Sequence, residues 1–426
     1  MSFLNRFSWF AASGLVIASA LTGCSHSGSG TASSAETTTA AVNVDSLNTG
    51  NYATKPAKPL GPAGTEAVGR RLEGARLAAV VVTPWQVDPA LTDVWKKTLI
   101  LRPSAMSVSL DERLPKDVWN IASDAGYVTG FVTDRRSPDP AAPKRWLQNS
   151  VWEMPDPKTA SDTVAAMTAK IAEVSTSEHP RTTVTIPGHP ETSASYVNLA
   201  SYINKITEQP GSGIAVNALT AHGQFILYQE AVASVKPEDA TALIADTLTK
   251  QIPALDKFEP TKKADLPALP RDPTGLLART LPFSDAGSAG INDNLAWDPT
   301  TYLNFEKTPL TTSKLYSETT LKWVSASMAN VYQTDQNQGA RQLRDAKVNE
   351  LTESSAKSPD AAPKTYKPAA EVPNLPDSKC LEATYVTTNK YICWGVFDNY
   401  AFTTISPQLI DAQQQLAAQY RLLADK

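Results

Sequence analysis

FILYQEAVASVKPEDATALIADTL, residues Phe225 to Leu248, is a complete strand-to-helix unit, and its reading decides the fold. A strand is expected over Gln224–Ala233, where apolar and β-favouring residues dominate. Pro237 then opens a helix that carries Ala240, Leu243, Ile244 and Leu248 along one face, and Pro253 is expected to stop it. A second stretch, NYAFTTISPQLIDAQQQLAAQY (Asn399 to Tyr420), has the same shape. There Ser406 is the expected cap, Pro407 the first helical position, and Leu409, Ala412, Leu416, Tyr420 and Leu423 the buried side.

An earlier pair repeats the correspondence. SVWEMPDPKTASDTVAAM (Ser150 to Met167) stands against ANVYQTDQNQGARQLRDA (Ala329 to Ala346), each a strand running into a helix. The first helix should be capped by Ser161, with Val164, Met167, Ile171 and Val174 aligned; the second should run from Gly339 to Leu351. Residue identities are few, so the halves share an order of elements (strand, helix, strand, strand, helix) and no demonstrated duplication. Antiparallel strands flanked by helices imply an α+β fold, with two domains, each an antiparallel sheet covered by helices on one face.

Between these anchors, strands are expected at Thr182–Ile186, Ser195–Leu199 and Ile214–Leu219. The Thr220-Ala221-His222-Gly223 connection should be a bulged hairpin. Leu321–Thr334 reads as one strand, Leu381–Val386 as another, and Tyr391–Ile405 as a third after a turn at Thr387–Lys390. The proline-rich run 261–282 reads as a linker between an N-terminal domain over 46–260 and a C-terminal domain over 283–426.

The opening residues decide where these domains work. Arg6 followed by the apolar run Phe7–Ala20 and by Leu21-Thr22-Gly23-Cys24 reads as an export signal ending in a lipobox. Cleavage between Gly23 and Cys24 would remove residues 1–23 and leave a diacylglyceryl-modified Cys24 at the new N-terminus. A transmembrane reading fails on length, since a span needs about 20 apolar residues and Ser8, Ser13, Gly14 and Ser19 interrupt this run. Two acyl chains at about 0.8 kcal/mol per buried CH₂ anchor firmly without a basic patch. Residues 24–45, rich in Ser, Gly, Thr and Ala, form the expected flexible tether, with His26 in it.

A chain of 426 residues is long for one core, and its 42% hydrophobic content suffices for two. The formal net charge of −4 and the lack of a Lys/Arg cluster argue against nucleic acid as a partner. Of the three cysteines, Cys380 and Cys393 remain for one disulfide outside the cytoplasm. With Thr388 and Asn389 as the turn, however, Cys393 falls opposite the neighbourhood of Tyr385. A direct cross-strand bridge then requires Cys380 to bend back, or a longer turn.

No constellation of catalytic residues is apparent. G-x-S-x-G is absent, Gly61–Gly69 lacks the lysine and spacing of a phosphate loop, and Asp111, Glu112, Asp134, Arg135 and Arg136 read as solvated surface. His179 and His189 precede a proline, and His222 sits in a hairpin turn. A His189/His222 metal pair lacks third and fourth ligands, so no metal or cofactor is expected. The series Trp85, Trp95, Trp119, Trp146 and Trp152 reads as core anchoring before it reads as a ligand platform.

Five stretches together resemble a known family: LNTGNY followed by PLG, TIPGHP (Thr185–Pro190), the TAHG hairpin, DPTGLLARTLP (Asp272–Pro282), and the cysteine pair before SPQLIDAQQQLAAQYRLL. They are similar to an uncharacterised family of two-domain lipoproteins from mycolic-acid-bearing actinobacteria. The resemblance implies two domains on the outer face of the membrane and assigns no activity, substrate or catalytic residue. Related chains carry a basic and aromatic stretch after the boundary, where Ser284–Asp298 is polar here. The expectation is a non-enzymatic, lipid-anchored binding protein for an envelope lipid, glycan or protein. The rivals are an envelope hydrolase or transferase, which needs a Ser, Asp or Glu beside a histidine in one cleft, and a scaffold or accessory subunit of an envelope complex.

Overall fold

Among the described residues, fourteen strands form two antiparallel sheets of seven in the computed structural model. The structure describes residues 42–96, 98–102, 110, 113–138, 145–201, 212–234, 236–283, 289–353, 365–385 and 387–425. The export signal, Cys24, His26 and the tether to residue 41 lie outside them. The first sheet comprises β1 (Leu99–Leu101), β2 (Thr129–Arg136), β3 (Trp146–Glu153), β4 (Thr182–Ile186), β5 (His189–Asn198), β6 (Ile214–His222) and β7 (Phe225–Ala233). The second comprises β8 (Leu295–Trp297), β9 (Leu321–Ala326), β10 (Ala329–Thr334), β11 (Thr365–Ala369), β12 (Lys379–Thr384), β13 (Asn389–Phe397) and β14 (Tyr400–Ser406).

The strand orders are β1-β2-β3-β7-β6-β5-β4 and, read from the matching edge, β8-β9-β10-β14-β13-β12-β11. The two halves therefore have one topology. In each, the third strand leads into a helix, the chain returns at the far edge, and a four-strand meander brings the last strand back beside the third. The α+β architecture and the repeat stand, at greater length than the five shared elements expected.

Helices cover both faces of each sheet, where one covered face was expected. Against the first sheet, α1 (Glu66–Ala78) and α5 (Pro237–Leu255) share a cluster with Phe131, Val151 and Leu227. On the opposite face α3 (Lys116–Asp124) and α4 (Pro157–Glu173) pack with Trp152, Ile226 and Tyr228. The short α2 (Pro84–Val87) follows α1. In the second half, α6 (Pro299–Tyr302), α7 (Pro309–Glu318) and α8 (Asn337–Glu353) lie on the Tyr332 and Trp394 side. The last helix, α9 (Leu409–Ala424), covers the Cys393 and Phe402 side. Double coverage explains why all of β3, WLQNSVWE, is buried and shows no alternation.

Several local expectations are corrected. Helix α4 starts at Pro157 and is capped by Asp156, whose Oδ1 accepts from Thr159 N at 2.8 Å, so Ser161 lies inside it. Pro253 sits in the last turn of α5, which continues to Leu255 because a proline that late forfeits only a terminal bond. Leu321–Thr334 is a hairpin turning at Ser327–Met328, a pair without the Gly or Asn favoured in two-residue turns, held by Ser327 Oγ donating to Asn294 Oδ1 at 2.6 Å. Tyr391–Ile405 is likewise β13 and β14 joined at Asp398–Asn399, with Asp398 at φ 48°. The Gly223–Gln224 turn is a tight two-residue one, His222 pairing with Phe225, and Gly223 takes φ 54°. Helix α9 begins at Leu409, while Ser406 Oγ accepts from Gln408 N at 3.2 Å and donates to Asp411 at 2.6 Å.

The disulfide corrects the turn assumed for it. Thr384 pairs with Asn389, so the loop is Tyr385–Thr388 and Cys380 stands directly opposite Cys393. The two are bonded, with Cα atoms 4.1 Å apart. Both half-cystines are buried in the α9 cluster. Replacing both cysteines by alanine should lower stability by about 3 kcal/mol, as the chain-entropy model gives for a loop of this length. Urea midpoints of the variant and the parent protein check this; equal midpoints would contradict it.

The halves are not joined like beads. A single apolar cluster runs from Phe131, Val151 and Leu227 to Trp297, Tyr332 and Trp394, and residues 42–425 form one compact unit. Arg135, fully buried, reaches from β2 across the junction. Its guanidinium donates to the carbonyls of Asn304 at 2.7 Å and Glu306 at 3.2 Å and lies over Trp85 at 5.1 Å. Residues 43–52 lie on the C-terminal half: Leu47 is buried in the α9 cluster and Tyr52 donates to Asp411 at 2.7 Å.

Candidate functional site

Two chain segments pass between the halves side by side. Ala57 N donates to Ala278 O at 2.9 Å, Ala63 N to Leu269 O at 2.7 Å, Gly64 N to Pro267 O at 2.9 Å, and Arg271 N to Gly61 O at 3.1 Å. Prolines preset much of this backbone, and Gly61 and Gly275 supply positive φ values of 68° and 70° where it turns. Helix α1 is pressed against the same crossing, since a Cβ on Gly69 would lie 2.2 Å from Leu266 O.

The crossing leaves an open groove of about 580 Å³, within the range of ligand sites. Ala57, Pro59, Leu60, Ala268, Pro270 and Ala278 supply its apolar wall. Its charged residues are engaged elsewhere: Asp272 Oδ2 accepts from Ala278 N at 2.8 Å, and Arg279 donates to Tyr400 Oη at 3.3 Å and to Leu423 O. What the groove offers a ligand is therefore mainly van der Waals surface. The PLG and DPTGLLARTLP stretches, quoted above for the family resemblance, meet in it.

The structure also contains a buried polar row that sequence reasoning missed. Asp134 on β2, Gln148 on β3, Glu230 on β7 and Asn217 on β6 occupy facing register positions across four adjacent strands. Asp134 and Arg135 are both 0% exposed, contrary to their reading as solvated surface. Asp134 Oδ2 accepts from Trp146 Nε1 at 2.8 Å and Lys96 N at 2.6 Å. Burial raises its pKa, and those two bonds oppose the rise. Glu230, also 0% exposed, pairs with Arg113 and, at 3.5 Å, with Lys96. Charges inside strands carry no periodic signature, so only the packing could disclose the row.

The three described histidines do not converge. His222 Nε2 lies 2.7 Å from Asp256 Oδ1 on the surface. His189 Nδ1 lies 3.2 Å from Glu191 and its Nε2 3.1 Å from Thr249 Oγ1, an order of groups reminiscent of a hydrolytic triad. Thr249, however, is an exposed residue in the interior of α5, where backbone N–H groups are committed to the helix and none is free to hold an oxyanion. His179 N donates to Thr176 Oγ1 at 3.0 Å at a loop. Among the described residues, no three of His, Cys, Asp and Glu gather as a metal site. Of the tryptophan series, Trp85, Trp119, Trp146 and Trp152 are buried; Trp95 is exposed, with the Arg136 guanidinium 4.3 Å from its ring centre.

Among the described residues no helix is long and apolar enough to cross a membrane. No curated protein matches the chain. Among solved structures, the extracellular domain of PknH from Mycobacterium tuberculosis is 14% identical over 42% of this chain and 96% of that one. Its TM-score of 0.26 carries no argument about fold or function. Two family models match in tandem: the N-terminal domain of unknown function DUF7373 over residues 60–271, and its C-terminal counterpart over residues 276–426. The matched segments coincide with the two seven-stranded halves, and the chain belongs to the DUF7373 family.

Proposed function

We propose that the protein is a non-enzymatic binding protein of the cell envelope, held at the outer face of the membrane by lipid on Cys24, that takes its ligand in the groove where the two halves cross. The groove carries the reading: it is a ligand-sized concavity of about 580 Å³ whose wall is apolar and whose charged groups are already engaged. Such a wall favours an apolar partner, an acyl chain or an apolar peptide segment of an envelope component. The lipobox supports the location.

The test is mass spectrometry of what co-purifies with the full-length protein extracted in detergent from membranes. A discrete bound species is expected with the parent protein and should be lost in Ala268→Trp, which fills the groove from an exposed position. Cys24→Ala should move the protein from the membrane to the buffer fraction. A bound species unaffected by Ala268→Trp would overturn the groove assignment, and Cys24→Ala protein that stays membrane-bound would overturn the anchor.

A further inference from the structure

We infer that three arginines gathered at the junction, Arg71 on α1, Arg102 just after β1 and Arg271 on the crossing, bind a doubly charged phosphate group, free or on a lipid headgroup. They are far apart in sequence, so no run of basic residues announces them. Tertiary contacts bring them together. Arg71 reaches the segment 290–294, where its guanidinium donates to Asp293 O at 2.9 Å and to Asn294 O at 3.5 Å. Asn292 fastens the same segment to β1, accepting from Ile100 N and donating to Thr98 O, both at 3.1 Å. Arg102 follows the last residue of that strand. Arg271 is set beside α1 by its own N–H bond to Gly61 O and by the close packing of Gly69 on Leu266. Burial first, then the charge of Arg271, lower the pKa of Arg71; Asp293 opposes them, and Arg102 adds a smaller push in the same direction.

The cluster lacks its counter-charge. Arg70, Arg76, Arg136 and Arg145 each sit on a carboxylate at 2.5–2.8 Å, whereas among the described residues Arg71, Arg102 and Arg271 form no ion pair. Glu66, one turn before Arg70 on α1, is held by Arg70 at 2.6 Å. Asp293 Oδ2 accepts from Gly290 N at 2.7 Å. Three cations and this one carboxylate leave two positive charges uncompensated. The donors are within reach of a ligand: Arg102 and Arg271 are exposed, and Arg71 is half-buried with N–H groups beyond the two it has committed. A planar guanidinium fork matches phosphate oxygens two at a time. A carboxylate ligand would neutralise half of the excess charge, and a phosphate dianion neutralises all of it. The site is separate from the groove, since Pro270 and Asp272 line the groove and Arg271 between them does not.

Isothermal calorimetry on the full-length protein in a non-ionic detergent, at about pH 8 where phosphate is doubly charged, tests the assignment with inorganic phosphate and acetate as probes. Phosphate should bind saturably, and acetate about tenfold more weakly or not at all. Arg102→Met and Arg271→Met should each raise the phosphate dissociation constant about tenfold, the effect of losing one charged hydrogen bond. Both side chains are exposed, so neither change should lower the thermal midpoint. Phosphate should raise the midpoint of the parent protein and leave that of the double variant unmoved. Micelles doped with phosphatidic acid identify the source: binding tighter than that of inorganic phosphate assigns the site to a lipid headgroup, and equal or weaker binding assigns it to the free ion. Ala268→Trp, in the groove, should leave phosphate binding intact, so this site and the groove can fail separately. No saturable binding of either phosphate probe, acetate binding as tightly as phosphate, or affinities unchanged in both arginine variants would overturn the inference.

Discussion

Replacing Glu230 by Gln should lower the unfolding free energy by about 3–5 kcal/mol, the usual cost of removing one partner from a buried ion pair. The carboxylate is 0% exposed, and it faces Arg113 and Lys96, whose side chains are 15% and 24% exposed. The isosteric amide keeps the volume and removes the charge, so both cations remain part-buried without their counter-ion. Lys96 has little freedom to leave, because its Nζ also donates to Leu110 O at 3.1 Å and lies 4.6 Å from the Trp146 ring centre. Urea unfolding with an unchanged m-value would report the loss, and a double-mutant cycle with Arg113→Met would assign it to the pair. A Glu230→Gln midpoint equal to that of the parent protein would show that the row does not stabilise the fold by charge pairing.

The second large effect is a pH dependence centred on Glu153, the last residue of β3. Burial, and then the Glu73 carboxylate, push its pKa up to about 8, against the opposing pull of Arg76, Gln224 and Arg70. Glu73 is itself tied into α1 and the following chain: it pairs with Arg76 at 2.6 Å and accepts from Thr261 N and Oγ1, both at 2.7 Å. Because the folded pKa exceeds the ordinary value of 4.5, the native state holds a proton that the unfolded chain releases between those two pH values. Stability from this group is complete below pH about 4.5 and is lost as pH rises to about 8, beyond which the penalty is constant. For a carboxyl 1% exposed, the total is on the order of 3–5 kcal/mol. Glu153→Gln stays neutral throughout, so it should match the parent protein near pH 4 and exceed it in stability near pH 9. Stability curves for the two proteins that run parallel from pH 4 to pH 9 would refute the assignment.

Legibility in the sequence followed exposure to water. Helix α4 keeps one buried stripe and α5 a broader one, while α9 is buried nearly all round; in all three the apolar residues keep the 3.6-residue period, which placed them to within a few residues. The start of α5 at Pro237 was legible, and those of α4 and α9 were less so, because Asp156 and Gln408 shared their neighbourhoods with serines that looked like better caps. Among the central strands β7 was legible to within one residue. Of β3 only the end was, because helices on both faces remove the alternation that marks a half-buried strand. The Asp398–Asn399 turn did carry a signal, two turn-forming residues in a β-rich run, that was overridden by the apolar residues around it.

By itself the sequence determined the α+β class, the repeated order of elements and the pairing of Cys380 with Cys393, since each rests on periodicity or on elimination among few residues. It also set the expectation of a lipid anchor at Cys24. Tertiary structure alone decided the register that puts the cysteines face to face, the burial of Asp134, Arg135 and Glu230, and the groove at the crossing. Those features depend on which segments meet across long stretches of chain. Residues 57–64 touch residues 267–278, and Arg135 touches Asn304. Local propensity carries no record of such meetings, because their energy comes from desolvation and hydrogen bonding that exist only once both partners are in place.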